Sequence, residues 1–156
     1  MPELYAKLKE ILDFDTDALN PLIPDMLSPA EMTIVEQLGP EDFTAEAAAA
    51  LLDISLEDTH ILLEGSYRKG LVSKNPATKP MTYTLSNMYN LLDFFVMLDA
   101  TRWHSYPQNI VKAADAWYFG RYGQRIEQRR ASADNKPAEI VLPLDCLVST
   151  SDAADA

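Results

Sequence analysis

Apolar side chains recur at spacings of three and four through most of this chain, and the spacing changes to two over Met81–Leu85. Leu4, Leu8, Ile11 and Leu12 predict an amphipathic helix over Glu3–Leu12, ended by the segment Asp13–Asp17. Asn20-Pro-Leu-Ile-Pro24 interrupts the next stretch. Ser28-Pro-Ala-Glu31 then has the form of a capping box, with Ser28 at the N-cap, Pro29 at the first helical position and Glu31 reaching back. The helix it starts runs to Leu38, where Gly39-Pro40 stops it. Thr44 caps the alanine-rich run Ala45–Leu52, which has the strongest helix propensity in the chain. After the short break Asp53-Ile54-Ser55, Ser55 caps a further helix to Lys69, with Gly70 at the position where a left-handed residue closes a helix. Two helices across so tight a turn form a helix-turn-helix pattern.

The elements after Gly70 narrow the fold class. Leu71-Val72-Ser73-Lys74 and the alternating Met81–Leu85 flank the breaker-rich Asn75-Pro-Ala-Thr-Lys-Pro80, which predicts a β-hairpin with a polar, lysine-bearing tip. Ser86 is placed to cap an almost wholly apolar helix through Met88, Leu91, Leu92, Phe94–Leu98. Such a helix needs cover on most sides, either from the rest of the core or from a second copy, and a homodimer would place Leu91, Phe95 and Leu98 at its contact. Trp103-His104-Ser105-Tyr106 reads as an interhelix loop. Pro107 then opens a long helix to about Arg130, with an apolar stripe of Val111, Ala114, Trp117, Tyr118, Tyr122 and Ile126 and a basic one of Arg121, Arg125 and Arg129. From Ala131 the chain is small and polar. Ile140–Leu144 is expected to dock as an extended segment, and Ser149–Ala156 to be disordered. The expected class is mostly α with a small β-hairpin. The division is an N-terminal helical segment (1–27), a helix-turn-helix and hairpin domain with its following helix (28–101), an aromatic and basic helix (102–131) and a tail (132–156).

Tyr67-Arg-Lys-Gly-Leu-Val-Ser-Lys74, a proline-containing turn and Tyr83-Thr-Leu-Ser86 resemble the recognition-helix and wing passage of MarR-, ArsR- and PadR-like winged-helix domains. The resemblance spans about residues 28–87 and implies a winged helix, a fold shared by regulators, docking modules and nucleic-acid enzymes. A second resemblance lies in Arg102-Trp-His104, Ala116-Trp-Tyr118 and Ala138-Glu-Ile-Val-Leu-Pro-Leu-Asp145. These are similar to the N-terminal part of anaerobe proteins in which a winged-helix module precedes ferredoxin-like iron–sulfur motifs. That likeness implies the N-terminal part of an iron–sulfur redox protein. A [4Fe–4S] cluster takes four thiolates and the chain has the single Cys146, so no cofactor is expected in this chain itself.

Charge decides between the uses of such a fold. Residues 1–100 hold 17 acidic and 6 basic side chains, the whole of the net −11, whereas residues 101–136 hold 7 basic against 3 acidic. With Leu56, His60, Leu63 and Tyr67 expected inward, the outward positions of the second helix are Glu57, Asp58, Ile61, Glu64, Gly65 and Arg68, three of them acids. Duplex binding draws most of its affinity from Lys and Arg on phosphates, so this face repels DNA. Arg68, Lys74 and Lys79 are the candidate phosphate contacts if it is a regulator. Glu57, Asp58, Ile61 and Glu64, with Arg121, Arg125 and Arg129, are the candidate partner surface if it is a docking module.

Catalytic signatures are weak. The five glycines are too scattered for a dinucleotide or phosphate-binding loop. His60 reads as a half-buried structural histidine, and His104 beside Trp103 as a hydrogen-bonded loop residue. No enzyme is expected; a deep pocket joining His104, Trp103 and Asp99 would revive that class. The longest apolar stretch, Leu91–Leu98, is broken by Asp93 and too short to span a bilayer. The N-terminus lacks the basic and apolar regions of a secretory signal, so a cytoplasmic protein is expected, with a protein partner or a second copy of itself.

Overall fold

A computed structural model describes residues 1–134, and within them the chain is mostly α-helical with one small antiparallel sheet. The expected tail features, the docking of Ile140–Leu144, the disorder from Ser149 and any role of Cys146, lie outside the described residues. The chain divides into a compact unit of residues 1–119 and a second of 120–156.

The first unit begins with α1 (Pro2–Ile11), whose Leu8 is fully buried together with Leu12 just beyond its end. The proline-interrupted stretch is not a mere break: Asp17–Leu22 forms a 3-10 turn capped by Thr16, and Ile23–Met26 a single α-turn, α2. Pro24 stands in the first turn of α2, where a missing N–H costs no helical hydrogen bond. Leu19, Leu22, Ile23, Met26 and Leu27 all enter the core. The capping box forms as the sequence demands, with Glu31 N–H donating to Ser28 Oγ at 3.3 Å and Ser28 N–H to Glu31 Oε2 at 2.8 Å, and starts α3 (Pro29–Leu38).

Glycine at position 39 is dictated by packing. A Cβ there would lie 2.6 Å from Leu85 Cδ1, 2.7 Å from Ile11 Cγ2 and 2.8 Å from the Val35 carbonyl oxygen, closer than carbon atoms approach. A two-residue strand that the pattern does not signal, β1 (Phe43–Thr44), follows and leads into α4 (Ala45–Leu52), capped by the Thr44 side chain. Asp53, in the left-handed region at φ 53°, closes α4, and Ser55 caps α5 (Leu56–Arg68). Gly70 has φ +80°, as the helix-closing position predicted.

The hairpin consists of β2 (Val72–Asn75) and β3 (Thr82–Leu85), paired antiparallel with Val72 opposite Leu85 and Asn75 opposite Thr82. β1 joins the other edge of β3, Phe43 opposite Tyr83, and gives the strand order β1-β3-β2. Those two rings stack with centroids 5.9 Å apart. Asn87 rather than Ser86 caps α6 (Met88–Leu98), accepting from Asn90 N–H at 3.0 Å. Residues 100–105 form a short helix, α7 (Ala100–Ser105), capped by Asp99, where a loop was expected. The last helix, α8 (Gln108–Asp134), starts after Pro107 as predicted. In the first unit it is held by buried Ala114 and by Trp117, whose indole N–H donates to Asp15 at 3.0 Å.

Candidate interaction surface

Helix α5 defines the surface, and its orientation corrects the sequence reading. Thr59, Leu63 and Ser66 are the buried residues, whereas Leu56, His60 and Tyr67, expected inward, are exposed. The polar inward positions are satisfied: Thr59 Oγ1 donates to the Ser55 carbonyl at 2.8 Å, and Ser66 Oγ bonds to the Leu62 carbonyl at 3.0 Å and to Glu31 Oε1 of α3 at 2.6 Å. Because Thr59 and Ser66 belong to the inward face, apolar spacing alone does not give the rotation of this helix. His60 is accordingly not a half-buried structural histidine.

The outward face is thus more apolar than the sequence suggested. It carries Leu56, His60 and Tyr67 along one exposed stripe and Ile61, at 67% exposure, with Glu57 and Asp58 on the adjoining one. Asp58 also serves the start of the helix, accepting from Ser55 Oγ at 2.7 Å while its N–H donates back at 3.0 Å.

Basic side chains next to this face are already engaged. Glu64 forms ion pairs with Lys74 and, at 3.4 Å, with Arg68. Lys74 also lies 4.3 Å over the Tyr67 ring, a cation–π contact. The Lys74 hydrogen bond, reinforced by its charge and by Arg68, holds the Glu64 carboxyl below its ordinary range, and Glu64 in turn raises Lys74. Glu64 is therefore the anchor of a basic pair rather than an unpartnered acid. Lys79 is exposed on the hairpin tip, where Thr78 Oγ1 donates to the Asn75 carbonyl at 2.9 Å and accepts from Thr82 N–H at 2.9 Å.

The three residues considered for a dimer contact do not share a surface. Leu91 is 1% exposed and belongs to the core, because the N-terminal half of α6 packs inward and Met88 N–H bonds to the Leu12 carbonyl at 2.7 Å. Phe95 is half-buried, its ring edge-on to Tyr106 at 6.4 Å. Leu98 is exposed, as are Met97 and Phe94. A uniformly apolar helix carries no signal of which side faces the core, which is why Leu91 was misplaced.

Trp103 is buried and His104 exposed, both on α7. Trp103 and Asp99 line different cavities, and His104 lines neither of those two. Arg102 and the Tyr106 hydroxyl instead clasp Asp25 of α2. Those two hydrogen bonds hold the Asp25 carboxyl below the ordinary range, and burial with the Asp25 contact pushes the Tyr106 phenol up to about 12. In the second unit, Arg121 and Arg125 are half-buried and Arg129 and Tyr122 exposed.

Among the described residues no cluster of three His, Cys, Asp or Glu side chains is arranged to hold a metal ion, and no helix is long and apolar enough to cross a membrane. Comparison with protein-family models, with curated proteins and with solved structures found no match.

Proposed function

We propose that this chain is a non-catalytic winged-helix module that docks on another protein through the outward face of α5. The order α3, β1, α4, α5, β2, β3, with β3 central in the sheet, is the basis for reading it as a winged helix. The observation that carries the docking role is the composition of its exposed side: a stripe of Leu56, His60 and Tyr67 next to one of Glu57, Asp58 and Ile61. Exposed aromatic and aliphatic anchors rimmed by charge are what protein interfaces use, and acids at this position oppose a phosphate backbone. Arg68 and Lys74, the natural phosphate contacts, are drawn onto Glu64. The complementary partner presents apolar residues flanked by Lys or Arg.

A dimeric DNA-binding regulator is the competing reading, favoured by exposed Lys79 on the hairpin tip and by the arginines at 121, 125 and 129. It needs Arg68 and Lys74 to leave Glu64 for DNA.

A photo-crosslinking residue at position 61, in the chain expressed in its native host, distinguishes the two. A docking module yields a discrete protein adduct that is lost when Leu56 and Tyr67 are both changed to Ser. Adducts to nucleic acid alone, or a protein adduct indifferent to those changes, would overturn it.

A further inference from the structure

Between α6, α7 and α8, within the first unit, lies a half-open cavity of about 180 Å³. Its walls are unusual in kind: three aromatic rings, Trp103, Tyr118 and Phe119, and two carboxylates, Asp93 and Asp115, with Leu92 and Val96 completing the lining and no basic side chain in it. Neither carboxylate forms an ion pair among the described residues. Tyr118 is fixed on two sides, stacked on Tyr89 at 4.5 Å and edge-on to Phe119 at 5.6 Å. Its hydroxyl lies 3.2 Å from Asp93 Oδ1 and orients that carboxylate. The Tyr89 contact, burial and the Asp93 charge keep that phenol protonated far above its ordinary value, so it remains a donor. Phe119, a large apolar ring of the lining, is 65% exposed.

Two carboxylates against low-dielectric walls create a negative potential that selects a cation. A hard metal ion is poorly served, because calcium takes six to eight oxygen ligands and most of this lining is carbon. A cation whose charge is spread over methyl groups is weakly hydrated and is attracted to aromatic faces. The volume holds about six water-sized groups, enough for an ammonium with three or four small substituents. We propose that the cavity formed by Trp103, Tyr118, Phe119, Asp93 and Asp115 binds an alkylated ammonium group.

That chemistry has two sources, a free small molecule such as choline or a methylated lysine side chain of another protein. The test is titration of the whole chain, read by tryptophan fluorescence and calorimetry, with choline, with its uncharged carbon isostere 3,3-dimethylbutan-1-ol, and with one peptide carrying either lysine or trimethyl-lysine. Choline is expected to saturate in about the millimolar range and the isostere to bind at least about tenfold more weakly, since the rings and carboxylates both act on the charge. Asp115→Asn and Phe119→Ala, both at exposed positions, should each weaken binding about fivefold or more without altering the fold. Trimethyl-lysine peptide binding about tenfold tighter than choline, with unmodified peptide weak, identifies a protein side chain as the source; equal or weaker binding identifies a free cation. No choline binding at about 100 mM, an isostere as tight as choline, or full affinity in both variants would overturn the assignment.

Discussion

Glu31 sits where the capping of α3 and the anchoring of α5 meet, and removing it should destabilise the protein out of proportion to one side chain. Its carboxylate is 3% exposed and accepts from Ser28 N–H at 2.8 Å, from Ser66 Oγ at 2.6 Å and from the Lys69 ammonium, which also donates to the Met26 carbonyl at 2.9 Å. Glu31→Ala removes half of the capping box, about 1 kcal/mol, and the Ser66 bond, about another 1 kcal/mol. Ser66 keeps the Leu62 carbonyl, Lys69, a third exposed, turns toward water, and the Ser28 N–H is only part-buried, so no further penalty is added and the total is about 2 kcal/mol. Lys69→Met does strand a group: the buried carboxylate retains only two neutral donors, which costs about 3 kcal/mol, the lower end for breaking a buried pair. In the double variant the stranded charge is gone, so its stability should match Glu31→Ala alone, a coupling equal to the whole Lys69→Met loss, about 3 kcal/mol. Urea denaturation of the four proteins, with midpoints compared at unchanged slope, measures this. Additive single losses, or a Lys69→Met variant within about 0.5 kcal/mol of the parent, would refute the reasoning.

Gly70→Ala should destabilise by about 1–2 kcal/mol in the same assay, because φ is +80° and the added Cβ would lie 2.6 Å from the Phe94 ring. Adding Phe94→Ala relieves the clash but not the backbone strain, so recovery should be partial; full recovery would show that φ carries no cost. Asp25 has its folded carboxyl held below the unfolded value by Arg102 and Tyr106, so its stabilising share is complete above the ordinary aspartate range and is lost as pH falls through the folded value. Asp25→Asn should therefore flatten the acid limb of the stability profile; an unchanged acid limb contradicts the clasp. Tyr106 has the opposite sign: raised to about 12, it contributes below the ordinary tyrosine range and loses that share as pH climbs from about 10 through 12, a loss that Tyr106→Phe should abolish.

Much of this architecture is written in local signals. The Ser28–Glu31 capping box, the Thr44 and Ser55 caps and the Gly70 closure each name their position because one short-range hydrogen bond or one backbone angle requires that residue type. Where the deciding contact is distant in sequence, the pattern fails. β1 exists only because Phe43 meets Tyr83, and α2 in the proline-broken stretch is core because the distant α6 packs on it. The rotation of α5 was missed for a third reason, since its inward face includes Thr59 and Ser66, polar residues buried by virtue of partners such as Glu31. The chemical content of the candidate surface, acidic at its start and holding Ile61, was legible; that Glu64 restrains Arg68 and Lys74, and that Leu56 and Tyr67 join Ile61 outside, was not. Nor did spacing alone place Asp93 and Asp115 with Trp103, Tyr118 and Phe119, residues contributed by three helices.

The most direct measurement is a titration of the purified chain with mixed-sequence duplex DNA over a series of salt concentrations, alongside Lys74→Ala and Lys79→Ala variants and the mass of each in solution. With α5 acidic and apolar outward and Lys74 held by Glu64, binding should not saturate below about 100 µM at physiological salt, and neither variant should change the outcome. A dimer that binds DNA tightly, weakens steeply with salt and loses affinity in either lysine variant would contradict the docking module and establish the regulator in its place.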